Sequence, residues 1–421
     1  MTGAAILAAV LVLYALVARR LDRWSITAPI VFVAAGTLLG PDATGLIDLR
    51  PDEAVVRHLT EITLAVLLFA DASTVPLDRV RDDARLPGRL LAIGLPLTIV
   101  LGALAAGALF PEARWAPAAL VACILAPTDA ALGMAVVTNT AVPTRIRRAL
   151  NVESGLNDGI AAPIVALFLA LTIAEEGREG GSWLAHSGAE LGLALLAAVV
   201  VGGIGGRLAV AARRRGWTSA LSEELAVLAF AGCAYLGSLA VGGNGFVAAF
   251  AGGLLFGRAT AGEYRRAVEF TEVVATVASF LVWTIFGVLF VGPVLAGGFH
   301  GAAVVYAVLC LTVVRMVPVA IALAGGGLRR DTVAFVGWFG PRGLASVVFT
   351  LMAVEELRVA GIATDTLVEV ATWTILLSVL AHGLTAGWLA GAYGVAVGRE
   401  SGIPELLDVP EPRVRHRFLA R

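Results

Sequence analysis

The sequence predicts an all-α polytopic membrane protein with thirteen transmembrane helices, and three observations carry that prediction. Hydrophobic residues make up 58% of the 421-residue chain and charged residues only 15%, with a mean hydropathy of +0.87. That composition leaves too little polar surface for an outside that faces water. Apolar runs of about 20 residues, the length that crosses a hydrocarbon core, recur from end to end. The arginines concentrate in alternate loops, as a chain threading back and forth through a bilayer requires.

The first apolar run, 3–17, has no basic cluster before it and is followed by Arg19, Arg20 and Arg23. A secretory signal has the opposite charge order, so this run is read as a retained helix with its N-terminus outside. The remaining spans are 25–40, 59–75, 89–110, 116–139, 149–174, 189–212, 221–241, 244–258, 269–291, 300–323, 331–353 and 366–392. Of the 31 basic residues, all arginine, 24 follow odd-numbered spans, 5 follow even-numbered ones, and Arg315 and Arg342 lie inside helices. A wrong span count would scramble that alternation after the error. The reading is a multi-pass inner-membrane protein, N-terminus periplasmic and C-terminus cytoplasmic. Residues 1–395 form the membrane domain and 396–421 a short, solvated, membrane-skimming tail.

Six spans stand on either side of the seventh. The fifth span of each half is interrupted by proline beside a charge, at Pro127-Thr128-Asp129 and at Pro341-Arg342. Six helices before an odd linker make the second half enter from the opposite face, so the halves are predicted to be inverted six-helix repeats with crossing broken helices. Interrupted helices at matching positions of two halves mark the binding site of a transporter.

The chemistry concentrates beside the first break. Pro127 has no N–H, which deprives the Cys123 carbonyl of its helical partner. Freed carbonyls and the Thr128 hydroxyl are hard oxygen ligands for a small cation, and Asp129 brings negative charge to the same place. In the next span, Ser154 and Asp158 share one helical face, and Glu153 and Asn157 form the adjacent strip. Ser154 and Asp158 are read as facing the ion path, Glu153 and Asn157 as facing protein. Ionisable residues at membrane depth are expensive and mark function. Arg342 is assigned to Glu153 as its counter-ion, because Asp158 has to stay free to exchange ligands. Arg315 either joins a network or snorkels to the cytoplasmic edge. Asp71 either joins the polar cluster or marks the same edge.

The segments Pro127-Thr-Asp129, Glu153-Ser-Gly-Leu-Asn-Asp-Gly159 and Gly340-Pro-Arg-Gly343 resemble those of the monovalent cation:proton antiporter family, in its NhaP-like sodium/proton branch. The resemblance covers about residues 3–392. It implies that Asp158 binds either the cation or a proton. Asp129, Thr128 and Ser154 would complete the site, with Asp158 and Asp129 meeting a transient sodium ion. It further implies a structural network of Asn157, Glu153 and Arg342, and a role for Arg315, which matches an arginine of the family's eleventh helix. Many relatives carry glutamate in the third helix where this chain has Ala70 and Asp71. The Asn157-Asp158 pair resembles the electroneutral branch, and the absence of lysine is consistent with it. The implied mechanism is alternating access by a bundle moving against a dimerised scaffold, exchanging sodium or lithium for protons in pH homeostasis, with no cofactor.

Other classes fare worse. A net charge of −1 gives no electrostatic case for nucleic acid. Cys123, Cys233 and Cys310 are scattered in apolar segments and read as core residues. An intramembrane hydrolase lacks a nucleophile-elbow pattern around Ser154, and only His382 lies deep in a span. A passive channel does not call for carboxylates on broken helices. A potassium/proton exchanger of the same architecture stays open.

Overall fold

The computed structural model describes residues 2–47, 54–75, 85–129, 132–176, 183–298, 300–407 and 409. These form thirteen helical rods in chain order and no strand. They are α1 (Thr2–Arg23), α2 (Ala28–Leu39), α3 (Ala54–Thr74), α4 (Arg85–Leu109), α5a (Trp115–Ile124) with α5b (Met134–Val137), and α6 (Thr144–Glu175). After them come α7 (Trp183–Ala198 and Gly205–Arg214, joined by a π turn), α8 (Ala220–Ala240), α9 (Gly245–Thr260) and α10 (Arg265–Gly297). The last are α11 (Gly301–Leu323), α12a (Arg330–Trp338) with α12b (Leu344–Val359), and α13 (Asp365–Val397). Each predicted span has its rod, and both predicted breaks are present.

Two of the rods that outrun their predicted spans do so through arginines. α1 runs on to Arg23, with Arg20 and Arg23 in its last turn, where cations favour a helix C-terminus. α6 begins at Thr144, five residues before the predicted start. Arg145, Arg147 and Arg148 are buried there, and Arg145 Nη1 donates to the Pro404 carbonyl at 2.8 Å. A run of arginines reads as loop, yet here it is the root of a 32-residue helix.

Packing divides the rods into two groups. α3 packs most closely on α9 and α10, with α2, α7 and α8 completing that group. α4, α5, α6, α11, α12 and α13 pack on one another. Glycines set the tight contacts of the first group. A Cβ at Gly253 or Gly257 of α9 would strike the backbone of Phe69 or Ser73 of α3, and one at Gly36 of α2 would strike the Thr284 carbonyl of α10. The groups meet where α6, α12b and α13 face α3, α9 and α10. At one end of that seam, Arg57 of α3 pairs with Glu355 of α12b.

The tail departs from its expectation as far as it is described. Gly402 turns the chain at φ +73°, and Glu405 comes back to 0% exposure. Its Oε1 accepts from the Arg329 N–H and from the Thr332 hydroxyl, each at 2.8 Å, which caps the start of α12a. Thr332 also bonds the Tyr393 hydroxyl at 2.9 Å, and Arg329 holds Glu400 at 2.6 Å. Residues 400–407 thus strap α6, α12a and α13 together. Residues 408 and 410–421 lie outside the described residues, as do Asp48–Glu53 and 76–84.

Candidate functional site

The largest fully buried side chain among the described residues is charged: Arg342, at 0% exposure, in the break of α12. It sits there because two interrupted helices cross, and each leaves main-chain groups without helical partners. In α5, the Ile124 carbonyl accepts from the Ser346 hydroxyl at 2.8 Å. Arg342 Nη1 donates to the Ala126 carbonyl and, at 3.2 Å, to that of Pro127. The Thr128 carbonyl accepts from the Ser154 hydroxyl, and the Thr128 hydroxyl from Asn157 Nδ2 at 2.6 Å. The crossing is closed by the Asp129 N–H, which donates to the Pro341 carbonyl at 2.8 Å.

Asp129 has a second attachment. Its Oδ2 accepts from the Leu344 N–H at 3.0 Å, at the first residue of α12b, where the helix dipole favours negative charge. Gly343 makes this possible, since a Cβ there would overlap the Asp129 carboxylate. Gly340 does the same for Arg315, whose Nε occupies the space a Cβ would take. The two glycines of Gly-Pro-Arg-Gly therefore each make room for one charged side chain.

The ion pairing differs from the expected one. Glu153 pairs with Arg315, not Arg342: Nη1 to Oε1 at 2.6 Å and Nη2 to Oε2 at 2.9 Å, with side-chain exposures of 3% and 4%. The strip carrying Glu153 faces α11, while the Arg342 side chain turns toward the α5 carbonyls. Arg315 does not snorkel. It is a buried, bidentate partner.

Asp158 lies one turn beyond Ser154. Its Oδ1 is buried with no hydrogen-bond donor in reach, and Asp129 is close enough for the two carboxylates to repel. A small pocket reaches the crossing from the end where α5b and the start of α6 lie. It is lined by Thr128, Asp129, Gly133, Val136, Val137, Leu150, Ser154, Phe339 and Pro341, and Asp158 is not among its lining residues. The crossing thus brings together Thr128, Asp129, Ser154, Asn157 and Asp158, with Arg342 across from them. Asp71, half-buried near the end of α3, is not among the cavity's lining residues. Among the described residues no three His, Cys, Asp or Glu side chains cluster as a metal site. A cation here would rely on two carboxylates with the oxygens of Thr128 and Ser154.

Ser346 and Ser378 were not singled out from sequence, and His382 was noted only for its depth, yet they hold the breaks. The Arg342 N–H donates to Ser378 Oγ at 2.6 Å. His382, 1% exposed, sets Nε2 at 2.8 Å from the Trp338 carbonyl and Nδ1 at 2.9 Å from that of Ser378. The available signal was Ser378 and His382 spaced i,i+4 inside an otherwise apolar helix.

Comparison with known proteins places this geometry. The model of the transmembrane sodium/hydrogen exchanger family matches residues 6–391. A K(+)/H(+) antiporter NhaP2 of Shewanella sp. (strain ANA-3) is 29% identical over 167 residues, 40% of this chain and 28% of that protein. The NhaP2 of Shewanella oneidensis is 26% identical over 245 residues, 56% of this chain and 40% of that protein. The chain therefore matches less than half the length of these curated relatives. Among solved structures, the sodium proton antiporter MjNhaP1 of Methanocaldococcus jannaschii at pH 8 superposes with a TM-score of 0.76 at 20% identity, over 93% of this chain and 98% of that one. An electron-microscopy structure of the same antiporter gives 0.73 at 18% identity, over 95% and 99%. At these identities the likeness speaks to the fold.

Proposed function

The chain belongs to the sodium/hydrogen exchanger family, and on that premise we propose that it exchanges a monovalent cation, sodium or lithium, for protons by alternating access around Asp158. The observation that carries this reading is the buried Asp158 oxygen without a donor, beside Asp129, at a crossing reached by a cavity from one end. A carboxylate in such a place cannot stay both empty and charged at low cost. A proton or a cation relieves it, and the two exclude one another.

Charge counting supports a one-for-one exchange. Arg315 and Arg342 oppose Glu153, Asp129 and Asp158, so with every group ionised the buried set carries one net negative charge. One proton or one monovalent cation neutralises it. The loaded crossing is then neutral in either state, and only a neutral interior moves through a low-dielectric medium without a large penalty. An empty site would have to move as a charge, which makes exchange obligatory.

In this reading α4, α5, α6, α11, α12 and α13 move as one bundle, since the crossing's hydrogen bonds tie α5, α6, α12 and α13 together. The arginine distribution supports an orientation with the pocket's mouth in the cytoplasm and the N-terminus outside, and the membrane in this reading is the inner membrane. The Arg57–Glu355 pair then closes the outer end. A homodimer through the other group would give the bundle a stationary partner. The protein would serve pH and sodium homeostasis.

The experiment is antiport in proteoliposomes with a pH-sensitive dye, adding sodium, lithium and potassium separately. Asp158→Ala should abolish cation-induced dequenching, and undiminished exchange in that variant would defeat the reading. A second reading, potassium/proton exchange at the same site, is favoured by the naming of the Shewanella relatives as K(+)/H(+) antiporters. Dequenching by potassium alone would establish it in place of sodium.

A further inference from the structure

We propose that His382 is a positioning residue of the cation site, bridging the two ends of the α12 break. The proposal deepens the reading of Asp129 and Asp158 as that site and rests on it.

Nε2 lies 2.8 Å from the Trp338 carbonyl oxygen. Nδ1 lies 2.9 Å from the Ser378 carbonyl oxygen and 3.3 Å from Ser378 Oγ. Ser378 Oγ in turn accepts the Arg342 main-chain N–H at 2.6 Å. The ring and the Ser378 side chain thus form one relay of contacts from the Trp338 carbonyl to the Arg342 N–H.

The two ends of the relay are the two ends of the α12 break. Trp338 is the last residue of α12a, and Arg342 lies in the extended stretch before α12b. The grip is broader than two bonds. The Trp338 ring lies against the His382 ring with centroids 5.1 Å apart, and its Nε1 donates to Thr385 Oγ1 at 3.2 Å. Ser378, His382 and Thr385 follow at i, i+4 and i+7, on one face of α13. That face fixes the span of the break, and the break supplies two contacts of Asp129, the Pro341 carbonyl and the Leu344 N–H. His382 touches no cation ligand. It sets how far apart the groups that hold Asp129 stand.

The test uses purified full-length protein and cation-dependent thermal stabilisation, titrated with sodium, lithium and potassium chloride against choline chloride. His382→Gln keeps an N–H at the distance of Nε2 and should hold the apparent affinity within about twofold of wild type. His382→Asn and Ser378→Ala each break the relay at one link and should weaken affinity about three- to tenfold, the value of one such hydrogen bond. Equal weakening in all three variants would reduce His382 to packing and overturn the proposal, as would unchanged affinity in all three. Wild-type protein that shows no cation-dependent shift would overturn the site reading itself. Binding without exchange in vesicles would leave His382 standing and defeat antiport alone.

Discussion

Replacing Glu153 with glutamine asks which arginine it neutralises. The pair with Arg315 is bidentate, at 2.6 and 2.9 Å, with both side chains at least 96% buried, so water screens it little. At an effective dielectric constant of about 20, unit charges about 4 Å apart attract by about 4 kcal/mol. Removing one partner of such a pair leaves an uncompensated buried charge, for which about 3–5 kcal/mol is typical. Glu153→Gln and Arg315→Gln should therefore each destabilise by several kcal/mol. The double variant should recover part of the sum, a coupling of about 2–3 kcal/mol, because neither charge is left stranded. The assay is built into the chain. Cys123 and Cys310 are buried, so a thiol-reactive fluorophore reports unfolding on heating once the exposed Cys233 is replaced by alanine. The control is the cycle between Glu153 and Arg342, whose coupling should be smaller by more than about 1 kcal/mol. If Arg342 couples to Glu153 more strongly than Arg315 does, the assignment of partners is wrong.

Three further outcomes follow from the same geometry. Gly343→Ala drives a methyl group into the Asp129 carboxylate, so exchange should fall at least about tenfold in protein that still inserts and folds, and wild-type rates would refute the packing argument. In a cysteine-free background, Arg57→Cys with Glu355→Cys should cross-link under oxidant and arrest exchange until reductant is added, since the pair joins the two helix groups at the closed end; exchange that continues through the cross-link would show that the seam stays shut. Apparent cation affinity should fall toward a tenfold loss per pH unit on the acid side, because protonated Asp158 binds no cation, and should level off as pH rises; affinity independent of pH would rule out a shared site.

Much of this fold was legible because lipid imposes simple rules on sequence. Apolar length gave the rods, arginine placement gave the threading, and Pro127 and Pro341 gave the breaks. The i,i+4 spacing of Ser154 and Asp158 placed both toward the crossing, where Ser154 bonds the Thr128 carbonyl. The partner of Glu153 was not legible, because two intrahelical arginines were available and the choice turns on side-chain direction. Gly340 decides it by admitting the Arg315 guanidinium, a contact between residues 25 apart that no local pattern encodes. Ser378 and His382 looked like isolated polar residues in an apolar helix. Their purpose appears only once the α12 break is laid against α13. The tail misled for a related reason. Its polar composition reads as solvated, but Glu405 finds two donors at the head of α12a, and a turn at Gly402 aims it there.

That docked segment has a practical bearing. Every hydrogen-bond anchor described for it, Arg145, Arg329 and Thr332, belongs to the group of helices that includes the crossing. Segment 400–407 is thus attached to the half that moves in the proposed mechanism and does not tether the two halves. A fluorophore at Ser401, paired with one on the α8–α9 connection, would read out the stroke of the machine as a change in distance, one turnover at a time. Shortening the gene ahead of codon 405 would remove that handle and uncap α12a as well.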